Sequence, residues 1–509
     1  MGEFFEKHGA GAYLAVNAAF LIVIALSSTL HGNSGVNVVY LVLLLVLCTA
    51  PLAVLDGLNG RYVLLAIFMA FFFLFFGMLD LARVVLGIEK AQRAVGMTAA
   101  QWGILLGGAC ALIGYSATVR RARPRGTPSQ SSDWPPLTIL AVGLAVWLIG
   151  AASIIYFRVY VVPEQTNAAA ARGLASMGPI LTFIVMLGNL LAPLGTLILA
   201  YGYARYRTLL WLVIMLAVLA AQFVIAFVTN IRGLALIPLA IVIVAQTLLN
   251  NRLPKTWIIG AVAAGAVAFP ILTAYRATIA GERGLSRAQA VENLGQVWDE
   301  VIAYRDRIAR SSSSDEGLTL FDRAWLEDNV ERLFEHTGVD VPFQHGATLV
   351  AIPLAFIPRV IWPDKPDVAV PVGQLFNHQF FGGTDDTYIS PSQLGELYWN
   401  FGWTGVVAGM LLIGMLLGFV ATRTDLSERF SVTRVLILLV TVQYLCWGFE
   451  GDLDAYVSWM RSLAVIGMLH LMFARPIGAP RVTATRRSDA RAASGPPALP
   501  APRFPNILM

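Results

Sequence analysis

Twelve apolar runs dominate this chain, near residues 11–30, 36–55, 62–86, 99–117, 137–157, 178–202, 208–229, 234–250, 256–276, 401–421, 431–449 and 457–474. Each approaches the ~20 residues that an α-helix needs to cross the hydrocarbon core of a bilayer. No water reaches a backbone N–H or C=O there, so runs of this kind must satisfy themselves as helices. Only 13% of the residues are charged and the mean hydropathy is +0.68, whereas soluble domains are roughly 25% charged. Too few ionic groups remain to cover a water-facing globule, which excludes a soluble enzyme. The sequence predicts an all-α polytopic membrane protein with about twelve transmembrane helices. Residues 1–276 are assigned helices one to nine and 277–400 one large loop between helices nine and ten; 401–474 carry helices ten to twelve, and 475–509 form a disordered tail rich in Ala, Pro and Arg.

The net charge of +5 is unevenly spread. Residues 277–400 hold 18 Asp and Glu against 9 Lys and Arg, a balance of −9 that leaves +14 for the rest of the chain. A uniformly basic protein points to nucleic acid, but charge segregated in this way points to topology. With the N-terminus in the cytoplasm, the inside segments hold 19 Lys and Arg, including Arg120, Arg121, Arg123 and Arg125. The short outside loops hold five: Lys90, Arg93, Arg158, Arg172 and Arg232. Positive charge stays inside, so both termini are expected in the cytoplasm and the acidic loop outside. The first run is long enough to span and lacks the cleavage site of a removed signal peptide, so it is read as helix one. Cys48, Cys110 and Cys446 lie in separate apolar runs without paired spacing, which favours packing over disulfides or a thiolate metal site.

The acidic loop concentrates the chemistry. Two stretches, Ser286 to Arg310 and Leu320 to Glu335, can form amphipathic helices that act as a lid or scaffold. The apolar stretch from Ala347 to Ile357 is too short to span and contains Pro353, so it is expected to be re-entrant or interfacial. It runs into Ile357-Pro358-Arg359-Val360-Ile361-Trp362-Pro363-Asp364-Lys365-Pro366. Three prolines stiffen that segment and set Arg359 and Lys365 near the outer lipid surface, where cations suit an anionic headgroup, or simply anchor the interface. Glu396 enters the next span among aromatics, where its carboxylate either holds its proton tightly enough to act as a base or pairs with an arginine and holds the loop.

Cations at the outer ends of helices run against the positive-inside bias and usually pair or bind something. Arg232 lies in a tight outside turn, Arg276 closes helix nine, and Arg461 sits in the outer turns of helix twelve, within reach of Glu450, Asp452 and Asp454. Capping of a helix C-terminus is the simpler role for Arg232 and Arg276. Asp80 and Arg83, one turn apart, can satisfy each other. Of the histidines, His336, His345 and His378 belong to the loop, where a neutral imidazole can take a proton from a hydroxyl near neutral pH. No HExxH, DxD or clustered carboxylate–histidine spacing appears in the acidic loop to mark a metal site, and Asp385-Asp386 is a weak hint of a divalent ion.

These segments resemble the bacterial O-antigen polymerases of the Wzy type. The likeness lies in Gln344-His345-Gly346 through Pro366, with its Ile-Pro-Arg-x-x-Trp-Pro-x-Lys-Pro core, and in Ser392-x-x-Gly395-Glu396-x-x-x-Asn400-Phe401-Gly402. The Arg232-Gly233 turn is a third, weaker similarity. The resemblance implies a periplasm-facing, metal- and cofactor-independent glycosyltransferase of the inner membrane. Such an enzyme moves a growing glycan from its undecaprenyl diphosphate carrier onto the next lipid-linked repeat unit, with a chain-length regulator as a protein partner. It also implies that Arg232 and Arg359 grip the diphosphate, supported by Arg276 and Lys365, and that Glu396 or His378 is the base. A ligase passing polymer to a lipid A core is the nearest alternative. A transporter is the competing class, but ionisable groups are scarce at mid-membrane, where Asn189, Gln222 and Gln443 are the polar residues.

Overall fold

A computed structural model describes residues 2–31, 36–54, 61–86, 96–122, 132–161, 179–229, 233–250, 254–276, 295, 298–299, 301–303, 326–355, 357, 361–362, 372–383, 388–424 and 431–476. The protein is helical throughout these residues apart from loops and one two-residue antiparallel pair, Ser132–Asp133 with Arg475–Pro476. Each of the twelve apolar runs lies on helix: α1 (Gly2–His31), α2 (Val38–Val54), α3 (Val63–Phe76) with α4 (Met78–Leu86), α5 (Ala99–Arg121), α6 (Pro136–Ile155), α7 (Pro179–Tyr206), α8 (Leu209–Thr229), α9 (Gly233–Asn250) and α10 (Lys255–Arg276). The loop contributes α11 (Leu326–His336), α12 (Ala351–Ala355) and α13 (Val372–Phe381); α14 (Ser392–Arg423), α15 (Val432–Thr441) and α16 (Ala455–Phe473) follow. Among the described residues six helices are long and apolar enough to cross a membrane, or seven if the α3–α4 pair counts as one span. This is a multi-pass membrane protein.

Four runs depart from uniform helix, the fifth by passing from α6 into a π-helical turn at Tyr156–Val161. The third bends by 55° between α3 and α4. At the bend, a Cβ on Gly77 would lie 2.8 Å from the Phe73 ring and 2.9 Å from Leu44, and the Tyr40 hydroxyl donates to the Phe76 carbonyl at 3.0 Å. A buried carbonyl beside the break thus has a donor, as helix breaks in apolar surroundings require. The eleventh passes from α15 into a π-helical turn, Val442–Cys446, and a 3-10 turn, Trp447–Glu450. The tenth begins at Ser392 rather than near 401 and bends at Gly402, whose φ of +61° is left-handed.

Two helix pairs make the tightest contacts, and small residues explain both. Between α5 and α14, a Cβ on Gly114 would fall 2.2 Å from the Leu411 carbonyl oxygen, and one on Gly414 would fall 2.0 Å from that of Ala111. Between α6 and α7, a Cβ on Gly150 would lie 2.1 Å from the Ala192 nitrogen. In lipid the hydrophobic effect does not drive helices together, so close backbone approach through small residues supplies the contact.

Helix α11 crosses the end of the α5–α14 pair. Leu326, Val330, Leu333 and Phe334 form its buried stripe, and Phe334 fits the notch at Gly103, where a Cβ would lie 2.4 Å from its ring. The Gln101 amide serves twice. Its oxygen accepts from the Thr98 N–H at 3.3 Å, completing a capping box on α5, and its nitrogen donates to Glu327 at 3.0 Å. Arg83 pairs with Asp80 at 3.1 Å, as their spacing predicted, and also reaches Asp328 on α11 at 3.4 Å.

Candidate functional site

The start of α14 is built by its own polar residues. Ser392 has φ +65°, and its Oγ accepts from the Gly395 N–H at 3.0 Å. The Ser390 hydroxyl accepts from the Ser392 N–H at 3.3 Å and donates to the Glu450 carbonyl. Residues 391–400 are all buried. Gly395 faces α11, where a Cβ would rest 3.4 Å from Leu333 and 3.5 Å from Val330.

The segment 344–348 docks where α14 bends. The Gln344 N–H donates to the Trp399 carbonyl at 3.0 Å and the His345 N–H to that of Asn400 at 3.2 Å. The Asn400 side chain clamps the turn, accepting from the Gly346 N–H and donating to the Thr348 hydroxyl oxygen, both at 2.8 Å. It also donates to the Glu396 carbonyl at 2.8 Å. The Thr348 hydroxyl in turn donates a hydrogen bond to Glu396 Oε1 at 2.6 Å. Glu396 Oε2 accepts from the Leu453 N–H at 2.7 Å. One carboxylate, 1% exposed, therefore ties together the 344–348 turn, the first turns of α14 and the loop between the last two helices. The donors are a hydroxyl and a backbone N–H, not the arginine that the sequence offered as a partner.

Beside this joint Asp452 is also buried and accepts from the Tyr388 hydroxyl at 2.6 Å. Burial raises the Asp452 carboxyl above its ordinary value, and the bond from Tyr388 offsets this only in part. The sign follows: the folded state binds the proton more tightly than the unfolded chain, so the group lowers stability as pH rises from the ordinary carboxylate range through its raised folded value. Asp452→Asn, which keeps an acceptor for Tyr388, is expected to have a higher Tm than the native protein at pH 7. The difference should vanish below about pH 3, where the native side chain is protonated in both states. Thermal unfolding in detergent across that range checks it; a lower Tm at pH 7 would contradict the assignment.

The other sequence-derived candidates fall as follows. His378 is exposed on α13, which packs through Phe376 and Phe380 against Trp399 at 6.0 and 5.3 Å. Its neighbour Gln379 accepts from Gln344 at 3.4 Å. No hydrogen bond joins His378 to Glu396 among the described residues. Arg276 ends α10, and its side chain lies outside the described residues, as do Arg232, Arg359, Lys365, Asp385 and Asp386. Of the expected amphipathic helix over 286–310, residues 295, 298–299 and 301–303 are described and helical, with Val301 buried and Trp298 5.8 Å from the Phe227 ring; the tail beyond 476 lies outside the described residues. His336 pairs with Asp340 at 2.9 Å on the surface. Asp454 feels the charge of Arg461, as the sequence allowed. Thr348 had no signal of its own, being one hydroxyl inside an apolar stretch; only the fold brings it to Glu396.

No protein-family profile matches this chain, and no solved structure matches it.

Proposed function

We propose that this protein is a glycosyltransferase that polymerises undecaprenyl diphosphate-linked oligosaccharide repeat units at the periplasmic face of a bacterial inner membrane, making O-antigen or exopolysaccharide, with both termini in the cytoplasm. The observation that supports this reading best is the meeting of the two segments that resemble O-antigen polymerases. The 344–346 turn is hydrogen-bonded to Trp399 and Asn400, and Thr348 to Glu396, so residues far apart in sequence form one unit. From that unit the chain runs directly to Arg359 and Lys365.

In this reaction a base takes the proton of the acceptor hydroxyl and the oxygen attacks the anomeric carbon of the donor glycan. The bond from that carbon to the diphosphate oxygen breaks, and undecaprenyl diphosphate leaves with the electron pair. Arginines that share the developing charge can supply the stabilisation that metal ions supply elsewhere. The reading gives that task to Arg359 and Arg232, with Lys365 and Arg276 in support. Of the two base candidates, His378 offers an exposed imidazole, whereas both oxygens of Glu396 are occupied. The proton is assigned to His378.

The test is to incubate purified protein with an undecaprenyl diphosphate-linked repeat unit and resolve the glycans by size. A ladder of repeats is expected, unaffected by EDTA. Arg359→Ala should lower the rate by about 10²-fold or more without reducing folded protein, and Arg359→Lys should recover little, since a point charge does not reproduce a two-pronged contact. Near-native polymer from Arg359→Ala would remove that residue from the mechanism. Transfer only onto a supplied lipid A core would identify a ligase, and no new glycosidic bond at all would favour transport.

A further inference from the structure

The loop between the last two helices is fastened to one short stretch of chain. The Gln393 side chain donates to the Gly448 carbonyl at 3.1 Å, the Ser390 hydroxyl to the Glu450 carbonyl, and the Tyr388 hydroxyl to Asp452 at 2.6 Å. The Leu453 N–H donates to Glu396 at 2.7 Å, and the Tyr456 hydroxyl to the Gln393 side-chain oxygen at 3.2 Å. These five bonds join residues 448–456 to residues 388–396, and each has a side chain on at least one end.

Two of the bonds end on carboxyl groups that crowd each other. The nitrogen bound by Glu396 is two covalent bonds from the Cα of Asp452, and both side chains are buried, at 1% and 9% exposure. Two carboxylates this close cannot both ionise without cost. Their partners differ. Glu396 faces groups that only donate to it: a backbone N–H, and the Thr348 hydroxyl, whose oxygen already accepts from Asn400. Asp452 faces the Tyr388 hydroxyl, which can donate or accept, so that bond survives when the carboxyl is protonated. The proton that relieves the pair therefore belongs on Asp452. Of the other groups around it, Asp454 adds a charge that Arg461 answers, Glu450 meets the joint through its carbonyl, and His345 on the 344–348 turn is exposed. Helix α3 meets the loop with Phe68, Phe72 and Phe76 around Phe449. Tyr388, Tyr444, Tyr456 and Cys446 stay neutral where carboxyls titrate.

We infer that residues 448–456 and 388–396 form a proton-held latch, fastened while Asp452 carries a proton and loosened when Asp452 and Glu396 are both charged. This goes beyond the transfer reaction proposed above and depends on no particular substrate. Burial raises the Asp452 carboxyl, which sets the sign. The fastened form binds the proton more tightly than the loosened one, so the latch is strongest in acid and weakens as pH rises through the raised value.

The test is hydrogen–deuterium exchange of the full-length protein in lipid nanodiscs, with rates corrected for the intrinsic pH dependence of amide exchange. In the native protein, protection of the 448–456 amides, Leu453 above all, should fall by up to about tenfold per pH unit, the slope set by one proton. The fall should begin near the ordinary carboxylate value of about 4 and level off above the raised one. The α5–α14 seam around Gly114 should keep its protection throughout, as a local opening requires. Asp452→Asn should hold 448–456 protected across the range with no pH dependence. Asp454→Asn, which removes a charge already answered by Arg461, should keep the native slope. Equal native protection at about pH 4 and about pH 8 would overturn the latch, as would a native slope, or no protection at all, in Asp452→Asn. Loss of the slope in Asp454→Asn would overturn the assignment of the proton to Asp452, and a parallel loss of protection along the seam would show global unfolding in place of a latch.

Discussion

Gly414→Val should leave little folded protein. The Cβ of the new side chain would lie 2.0 Å from the Ala111 carbonyl oxygen, 2.7 Å from its carbon and 2.8 Å from its Cα. These are backbone atoms of a helix, and no rotamer change moves them. Relief requires α5 and α14 to separate, which also loosens Gly114 against Leu411 on the same seam. Overpacking a well-filled core costs about 1–3 kcal/mol when side chains can yield and more when they cannot; a value of at least ~3 kcal/mol is expected here. Because α11 and the 344–348 turn are built on the N-terminal part of α14, activity should fall with the folded fraction. Gly467→Ala is the control. A Cβ there meets nothing within 4 Å, and alanine in a helix interior is favoured over glycine by about 1 kcal/mol, so its Tm should hold or rise. Size-exclusion profiles and thermal unfolding in detergent read both. A monodisperse Gly414→Val protein with native Tm would show that the two helices do not approach in this way.

Arg83→Ala should be nearly as damaging, for an electrostatic reason. Asp80 is 1% exposed, and Arg83, whose side chain is 10% exposed, is its partner at 3.1 Å. Its other oxygen finds no donor among the described residues. Removing one member of a buried ion pair leaves an uncompensated charge and costs about 3–5 kcal/mol. The same substitution cuts the tie from Arg83 to Asp328 and so loosens α11. Adding Asp80→Asn to Arg83→Ala should return more than half of the lost stability, because a neutral amide does not demand a counter-charge. Asp328→Ala alone, removing a longer and more exposed contact, should cost about 1 kcal/mol or less. If the double variant were no more stable than Arg83→Ala, the loss would come from packing of the arginine stem rather than from the buried charge.

The joint around Glu396 shows how much of the candidate site could be read beforehand. The sequence singles out Ser392-x-x-Gly395-Glu396-x-x-x-Asn400-Phe401-Gly402 and, within it, Glu396, but sets the helix start near 401; that the helix begins at Ser392 and bends at Gly402 comes only with the structure. The partners of Glu396 could not be read, because a backbone N–H is present at almost every residue. Which one meets a given carboxylate depends on how two distant loops are laid together. The pairing of Tyr388 with Asp452, across 64 residues, was hidden for the same reason, and so was that of Gln101 with Glu327, across 226.

The amino-acid sequence carries the helical membrane class and the placement of each apolar run on helix, though not the start of the tenth at Ser392. Both follow from local facts: an unbroken apolar run in lipid must close its own hydrogen bonds, and the 3.6-residue repeat does so within the run. It also determined that Asp80 and Arg83 would pair, since residues three apart share a helix face. Tertiary structure alone decided which glycines become seams, where the third run breaks, and that Glu396 holds a loop in place. Those outcomes depend on atoms brought together from separate helices. A glycine at a seam and a glycine facing open space are the same letter until a second backbone arrives beside one of them.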